Sequence, residues 1–340
     1  SHNMNANEVI ANRAIEILGG KKGDYAVVHP NDHVNRSQST NDAMPAALRV
    51  AILLSSPHLL NALKRLQSAL GRKAKEFSSV IKSGRTHLQD AVPITLGQEF
   101  GSYASSVKGS SERVSAALSR IKRIGLGGTA AGTGINTHPL YRDRVLKALS
   151  SASGIKGLKK APDPFEAMNS MADFTALSGS LRDAALELIR IANDIRLLSS
   201  GPRTGLSEIR LPAVQPGSSI MPGKVNPVMA EMLDMVCFHI AGADLTISMA
   251  AQAGQLELNV MLPVINYNIL NSMELLTNSV NAFTERCVKG IKADRKRCAD
   301  FFWNSPGLAT VLNGFIAYEK AAAVAKESVE TGTPIRDIVL

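Results

Sequence analysis

One segment of the chain constrains its fold more than any other, because its apolar residues repeat at alternating three- and four-residue steps. The apolar positions are Phe174, Leu177, Leu181, Ala184, Leu188, Ile191, Ile195 and Leu198. A helix with this repeat has one narrow apolar stripe, which is typical of near-parallel helices with coiled-coil-like packing. Similar stripes occur over 59–77 and 100–121, and helical patterns over 227–250 and 262–289. The sequence shows no strand-like alternation and therefore predicts an all-α fold of very long helices.

Glycine and proline indicate where these helices should end. A helix that starts near Asp42 is expected to stop at Pro57, where a second helix begins. Residues 84–93 interrupt the apolar pattern and are expected to form a polar loop. The glycine-rich segment Gly127–Gly134 lacks both the spacing and the Lys-Ser/Thr pair of a phosphate-binding loop, so it predicts a tight turn between helices.

The composition supports packed helices and limits the classes of partner. Aromatic residues make up only 4% of the 340 residues, whereas the strands of β-sandwiches favour aromatic and β-branched side chains. The formal net charge of +9 suggests anionic partners. No dense Lys/Arg block with interleaved aromatics indicates a nucleic-acid interface. A small anionic substrate would account for the charge, as would a merely basic solvated surface.

Cysteine usage and hydropathy bear on the location of the protein. Cys237, Cys287 and Cys298 lie far apart and form no Cys-x-x-Cys pair. This odd count predicts reduced structural thiols, a cytoplasmic location and no zinc site. The sequence contains no uncharged apolar run of about 18 residues, so no membrane span is expected. Its first residues also lack the basic segment and apolar stretch of a signal peptide.

Helices of this length leave apolar stripes that one chain can rarely cover on every side. Helices from several copies of the chain can share one core and so cover these stripes. We therefore expect a homo-oligomer, with the polar segments between the helices as the candidate functional sites.

The most unusual polar segment is Gly217–Pro227, which reads Gly-Ser-Ser-Ile-Met-Pro-Gly-Lys-Val-Asn-Pro. Its glycines permit turns that other residues rarely adopt, and its prolines stiffen the backbone between them, so we expect a shaped loop. The paired hydroxyls could supply a nucleophile or a base. Lys224 could supply a fixed positive charge, and Asn226 both a donor and an acceptor. An ordinary polar loop is the alternative interpretation.

Two further polar segments, Ser37–Asp42 and Gly84–Asp90, offer hydroxyls, amides and cations at expected helix ends. Helix N-termini attract anions through their unpaired N–H groups and the helix dipole. Neither segment is decisive by itself, since a single histidine such as His87 is more often a structural hydrogen-bonding group than a catalyst.

Together, these segments resemble the aspartase/fumarase superfamily of lyases. Gly217–Pro227 is similar to the signature loop of that family, and Gly84–Asp90 and His29–Asp42 match its other polar loops. The resemblance extends along the chain to Met4–Glu8 and Ser200–Arg203. It implies an all-α long-helix bundle that forms the core of a homotetramer, with about twenty long helices at its centre.

The resemblance also implies how the chain and its active sites are organised. Residues 1–38 would be the remnant of an N-terminal domain, residues 39–292 the central bundle, and residues 293–340 the start of a small C-terminal helical domain. Each active site would combine loops from three different subunits. The chemistry would require no metal or organic cofactor, although a divalent cation such as Mg²⁺ could activate the enzyme.

Within the superfamily, several details favour the members that release ammonia from L-aspartate to give fumarate. Thr40 stands where fumarases commonly have a second serine, and Val228 follows Pro227 where fumarases usually continue with Thr-Gln. Ala253–Met261 and Leu197–Arg203 also resemble the aspartate-specific version. Class II fumarase, which reversibly hydrates fumarate to L-malate, is the second candidate. A non-catalytic structural homo-oligomer of the same fold is the third.

The resemblance assigns roles within the signature loop. Ser218 would act as the general base in its alkoxide form and take a proton from the carbon next to a substrate carboxylate. Backbone N–H groups and the nearby Lys224 would have to lower the pKa of this weakly acidic hydroxyl. Ser219 would shape the loop, and Lys224 and Asn226 would hold a substrate carboxylate.

The other polar loops would complete the site. Thr86 and His87 would contact the substrate carboxylates, and Glu231 would polarise His87. Three residues from another subunit would hold a carboxylate or the amino group: Ser39, Thr40 and Asn41. A second anion site is expected at His29, Asn31 and Asp32. The alternative for this last group is a loop that fixes its own turn through side-chain hydrogen bonds.

Overall fold

The computed structural model describes residues 2–36 and 38–340, so Ser37, the first residue of the predicted Ser37–Asp42 loop, lies outside the described residues. Most of the described chain is helical. The α-helices, in chain order, are α1 (His2–Ile17), α2 (Thr40–Glu76), α3 (Leu96–Ile121), α4 (Tyr141–Ser153), α5 (Pro164–Asn169), α6 (Ala172–Leu198), α7 (Val228–Gln252), α8 (Leu262–Arg286), α9 (Arg295–Asn304), α10 (Ala309–Leu312), α11 (Tyr318–Thr331) and α12 (Ile335–Val339). Short π- or 3₁₀-helical turns occur at Pro30–Asn35, Val288–Gly290 and Pro306–Leu308. The predicted all-α class is confirmed.

Five of these helices, α2, α3, α6, α7 and α8, are between 25 and 37 residues long. The heptad-like stripe from Phe174 to Leu198 lies on α6, and each of its eight apolar residues is at most 5% exposed. The stripe is therefore a core face, as its periodicity predicts.

Helix α2 continues through Pro57, so the predicted break at this residue is wrong. Proline has no N–H group and cannot donate to the carbonyl four residues earlier, which belongs to Leu53. The hydroxyl of Ser56 donates to that carbonyl instead, at 3.0 Å. A side chain thus replaces the missing backbone hydrogen bond, and the helix does not end there.

Residues 84–93 lie mostly in strands, so the predicted polar loop is wrong. Strand β1 (Ile81–Thr86) pairs antiparallel with β2 (Gln89–Thr95). Two-residue strands form two more pairs: β3 (Arg123–Ile124) is parallel to β4 (Lys159–Lys160), and β5 (Ile209–Arg210) is antiparallel to β6 (Lys292–Ala293). The buried side chains of β1 include a lysine and a serine. No apolar alternation therefore marks this strand in the sequence.

The chain divides into two compact units, and the five long helices each contribute residues to both. Unit 1 contains Ser1–Leu60, Glu112–Asp183 and His239–Leu276, and unit 2 contains Asn61–Ser111, Ala184–Phe238 and Thr277–Leu340. The division at residues 38 and 292, which the resemblance implies, stays a prediction.

Unit 1 combines an apolar core with an ion-pair cluster whose Arg49 and Asp173 are buried and whose Arg120 is exposed. The Asp173 carboxylate lies 3.0 Å from Arg49 Nη1 and 2.7 Å from Arg120 Nε. The Arg49 guanidinium also stacks over the Phe174 ring, 4.9 Å from its centre. Buried charges are tolerated when they are paired and hydrogen-bonded, as these are. The apolar side chains of this core include Ile52, Leu59, Leu177, Ile265, Ile269 and Met273.

Unit 2 has a core with a chain of aromatic contacts. The Phe77 and Phe100 rings meet edge to face at 5.2 Å between their centres, and Phe100 meets Tyr103 at 5.6 Å. Such edge-to-face pairs add to the free energy gained by burying their apolar area. Further buried residues of this core are Leu63, Leu66, Leu70, Leu188, Ile191, Ile195, Val280 and Phe283.

The three cysteines are free and buried. Burial raises the pKa of each thiol to about 12. They are therefore inert structural thiols, as predicted.

Among the described residues, α2 and α7 are long and apolar enough to cross a membrane by length and composition alone. Core helices of soluble proteins satisfy the same criterion, and both helices are partly buried in this fold.

Candidate active site

The Gly217–Pro227 segment precedes α7 as a shaped loop closed by backbone hydrogen bonds. The N–H of Ser218 donates to the Lys224 carbonyl at 3.0 Å, and the N–H of Lys224 donates to the Met221 carbonyl at 3.1 Å. Gly217 has a φ of 99°, and a Cβ atom there would lie 2.7 Å from the Lys224 carbonyl oxygen. Only glycine fits this position without moving the loop.

The Ser218 hydroxyl sits among backbone donors. Its Oγ accepts N–H groups from Ile220 at 3.4 Å and from Met221 at 3.2 Å. Donors that point at an oxygen stabilise negative charge on it more than they stabilise the neutral hydroxyl. Ser218 is half-buried, whereas Ser219 and Lys224 are exposed at the surface of the loop.

Thr86 and His87 lie at the tip of the β1–β2 hairpin, where both side chains are exposed. Glu231, near the start of α7, has its Oε1 atom 3.9 Å from Arg196 Nη2. Over residues 2–36 and 38–340, the structure shows no hydrogen bond or ion pair between Glu231 and His87 of the same chain. The predicted pairing of these two residues stays a prediction, and the resemblance places the partners on different subunits.

Ser39, Thr40 and Asn41 form the N-terminus of α2, and Asp42 holds them in place. Ser39 Oγ accepts the Asn41 N–H at 3.2 Å, while the Asp42 carboxylate accepts the Ser39 N–H at 2.9 Å. This reciprocal arrangement is a capping box, here with an aspartate in the place of the usual glutamate. The Ser-x-x-Asp spacing in the sequence is the signal for this role of Asp42.

Asp42 also fixes the glycine-rich segment. Its second carboxylate oxygen accepts N–H groups from Gly127 at 2.9 Å and Thr129 at 3.0 Å. The Asn41 amide then donates to the carbonyls of Ala130 and Glu257, both at 2.8 Å. The segment 127–134 is therefore a turn packed against the start of α2, which agrees with the predicted tight turn.

A cavity of about 1230 Å³ opens beside this helix start in unit 1. Ser39, Thr40 and Asn41 line it, together with Ala130 and the segment 255–263. The Oδ1 atom of Asn41 is buried and accepts no hydrogen bond from the described residues. The structure thus gathers three of the predicted substrate-binding residues around one space. In the sequence, Ala253–Met261 is distinguished only by its resemblance to the aspartate-specific version, and no residue of 255–263 is predicted to bind substrate.

His29, Asn31 and Asp32 surround the short π-helical turn Pro30–Asn35. The His29 ring nitrogen Nδ1 accepts the N–H groups of Asn31 and Asp32, both at 3.2 Å. These contacts match the alternative interpretation, in which the segment fixes its own turn. The second anion site at these residues stays a prediction.

No group of three or more His, Cys, Asp or Glu side chains within the described residues is placed to hold a metal ion. Activation by Mg²⁺ therefore has no assigned ligands in one chain and stays a prediction.

A bundle of very long helices with Ser-, Asn- and Lys-bearing loops at the helix ends defines a class of lyases. The sequence pattern of the lyase family matches residues 1–242. The chain therefore belongs to this lyase family, within the aspartase/fumarase superfamily.

Individual relatives support this assignment over the whole chain, and they identify the chain as a carbon–nitrogen lyase. The aspartate ammonia-lyase of Helicobacter pylori is 51% identical over all 340 residues, which correspond to 72% of that protein. The structure of a fumarate lyase:delta crystallin from Brucella melitensis bound to cobalt has a TM-score of 0.97 and 51% identity, covering 99% of this chain and 73% of that one. A class II fumarase from Schistosoma mansoni has a TM-score of 0.94 and 39% identity with the same coverage.

Proposed function

We propose that the protein converts L-aspartate to fumarate and ammonia by anti elimination through an aci-carboxylate intermediate. The full-length similarity to aspartate ammonia-lyases supports this reaction, because their identity to the chain exceeds that of the class II fumarase. In the proposed reaction, a proton leaves the carbon next to a carboxylate, the electron pair forms the double bond, and the C–N bond breaks to release ammonia.

One geometric observation supports the placement of the substrate amino group, and it concerns Asn41. Both N–H donors of its amide are held by the carbonyls of Ala130 and Glu257, and this fixes the amide orientation. Only the acceptor Oδ1, which is buried beside the cavity, remains for a ligand. An acceptor suits an ammonium group, which has three donors and a positive charge, and cannot bind a carboxylate by hydrogen bonding. Asn41 is therefore assigned to the substrate amino group.

Ser218 is the proposed general base. The proton to be removed belongs to a very weak carbon acid, so the base and the developing dianion both need strong stabilisation. Two backbone N–H groups already point at Ser218 Oγ before any substrate binds. This preorganised environment supports an alkoxide at this residue, with Ser219 shaping the same loop.

The carboxylates of the substrate are assigned to cations and donors on two loops. Lys224 and Asn226 hold one carboxylate through the signature loop, as a charge and a directional donor respectively. Thr86 and His87 contact the carboxylates from the hairpin tip, and Glu231 of another subunit polarises His87. Ser39 and Thr40 complete the site beside Asn41.

The proposed enzyme is a homotetramer whose active sites are each shared by three subunits. Helix α7 supports this, because one of its faces carries four large apolar residues that are 57–65% exposed in the single chain: Met235, Phe238, Leu245 and Met249. Their spacing of three, seven and four residues makes one continuous stripe. A second copy of the same helix can cover such a stripe. If light scattering finds a stable monomer at micromolar concentration, the proposed tetramer is refuted.

A parallel assay tests the reaction. Fumarate formation is followed by its ultraviolet absorbance with L-aspartate and with L-malate, each with added Mg²⁺ and with a chelator. We expect fumarate to form from L-aspartate even when the chelator is present, because no cofactor is required. If Mg²⁺ activates the enzyme, the rate should be higher with added Mg²⁺ than with the chelator. Fumarate from L-malate alone would identify a class II fumarase instead. A stable tetramer without turnover of either substrate would support the structural homo-oligomer.

We place the protein in the cytoplasm, which its three free thiols support.

A further inference from the structure

The hairpin that carries Thr86 and His87 has a strained tip. Thr86 pairs with Gln89, which leaves only His87 and Leu88 in the turn. Both have positive φ, at 54° and 60°. A turn with two such residues strongly favours Asn-Gly, and a bulky side chain such as leucine is rare in this region. Leu88 is 70% exposed, so the packing of its own side chain cannot stabilise the turn. The strands must impose this conformation.

A β-bulge lies between the two cationic residues of β1. In a regular strand, residues three apart such as Lys82 and Arg85 face opposite sides. The pairing of β1 with β2 shifts between Ser83 and Arg85, and Gly84 lies at the shift. Between these pairs β2 has two residues, Ala91 and Val92, opposite the single Gly84 of β1, so the extra residue of the bulge lies in β2. Lys82 and Arg85 lie on either side of this irregularity and nevertheless reach the same partner.

That partner is the carboxylate of Glu208, which is fully buried. Lys82 Nζ lies 2.6 Å from Glu208 Oε2, and Arg85 Nη1 lies 2.9 Å from Glu208 Oε1. Lys82 also pairs with Glu99 at 2.9 Å, whereas Glu208 is the acidic partner shown for Arg85. Glu208 thus joins two points of β1 that are separated by the bulge, immediately before the catalytic tip.

Residues near the C-terminal end of the chain support the hairpin from other directions. The Arg85 guanidinium stacks over the Phe301 ring of α9, with its Cζ atom 5.3 Å from the ring centre. Ser83 and Ser305 share a hydrogen bond of 3.2 Å. A Cβ atom on Gly307 would lie only 1.9 Å from the Ala91 carbonyl of β2, so this approach requires glycine. Contacts with α9 and with residues 305–307 therefore hold the two strands in place, whereas the tip of the hairpin is exposed.

We propose that Glu208 is a positioning residue, which holds the Thr86–His87 tip in its strained conformation by binding Lys82 and Arg85 across the bulge. The inference rests on the proposed function, since it gives the tip a role in binding substrate carboxylates. Glu208 itself touches no substrate. It acts through β1, and its loss releases the strain at the tip.

The variant that tests this is Glu208→Gln, which keeps the shape of the side chain and removes its charge. The glutamine amide group presents an N–H donor to one of the two cations. The ion pair with that cation is therefore lost, and β1 keeps only one of its two contacts with residue 208. We expect kcat/KM for L-aspartate to fall by about 10- to 100-fold, the usual effect of removing a residue that orients a binding group. A rise in KM should account for most of this loss, because the tip is proposed to bind substrate.

A double-mutant cycle separates positioning from general loss of stability. Glu208→Gln is measured in the wild-type background and with His87→Ala, on the assembled enzyme. If Glu208 acts through His87, its effect should shrink to less than about 3-fold once His87 is absent. Asp173→Asn is the matched control, because it also removes a buried carboxylate held by two cations. It should lower the melting temperature without raising KM.

Every result of the double-mutant cycle either supports or overturns the proposed role of Glu208. An equal loss of kcat/KM from Glu208→Gln in both backgrounds would overturn it, because Glu208 would then act independently of the tip. Wild-type activity in His87→Ala alone would refute the proposed role of His87, and the inference with it. If Glu208→Gln does not fold, Arg85→Lys takes its place in the cycle. That variant keeps the charge but loses the planar guanidinium that binds Glu208 and stacks on Phe301, and its effect should also depend on His87.

Discussion

Replacement of Gly217 by alanine tests whether the observed shape of the signature loop is the one that supports catalysis. Gly217 has a φ of 99°, and an added Cβ atom would lie 2.7 Å from the Lys224 carbonyl oxygen. That carbonyl accepts the Ser218 N–H and closes the loop around the proposed base. The variant therefore strains the backbone and also forces the closing hydrogen bond apart.

The two effects can be given magnitudes. A non-glycine residue in the left-handed region costs about 1–2 kcal/mol, and the lost hydrogen bond costs about 0.5–1.5 kcal/mol. Together they disfavour the observed loop by about 1.5–3.5 kcal/mol, which corresponds to a loss of about 10- to 300-fold in kcat/KM. Since the loop can rearrange locally, the melting temperature should stay within about 3 °C of the wild type.

Gly223 provides the matched control in the same loop. It also has positive φ, at 81°, but an added Cβ atom would meet nothing within 4 Å. Gly223→Ala should therefore show only the strain, a loss of about 5- to 30-fold. Both variants are measured by fumarate absorbance with L-aspartate, beside thermal unfolding. If Gly217→Ala is as active as Gly223→Ala, or more active, the observed closure of the loop is not required for catalysis.

Three further changes test other parts of the proposal. Ser218→Ala should reduce kcat by orders of magnitude with the tetramer intact in light scattering, and unchanged turnover would exclude Ser218 as the base. Lys224→Ala should mainly raise KM for L-aspartate, and a normal KM would show that Lys224 does not hold the substrate. Burial raises the pKa of Asp173, but its two arginines outweigh burial and lower that pKa below 3.8. Its stabilising contribution is therefore present above about pH 4 and lost as the pH falls further. The difference in melting temperature between wild type and Asp173→Asn should shrink there, and a difference that grows would contradict this.

The long helices could be predicted because each has a local signal. The stripe from Phe174 to Leu198 repeats with the period of a helix, and the same residues are buried. The β1–β2 hairpin could not be predicted in this way, because Lys82 and Ser83 are polar but buried. Their burial depends on Glu208 and Ser305, which lie more than a hundred residues away in the chain. The passage of α2 through Pro57 depends on a single side-chain hydrogen bond from Ser56.

For the candidate site, local sequence pattern is enough to predict which loops carry the chemistry. Composition and order distinguish Gly217–Pro227 and its companion loops, because glycine, proline, serine and lysine have local conformational and chemical properties. The hydrogen-bond partners of individual atoms, in contrast, depend on the fold. The fold occupies both donors of Asn41 and leaves the acceptor free beside the cavity. It also brings Glu208 to the strand that carries His87. These contacts join residues that are distant in sequence. A local sequence pattern cannot show which distant carbonyl or carboxylate group will lie nearby in the folded chain.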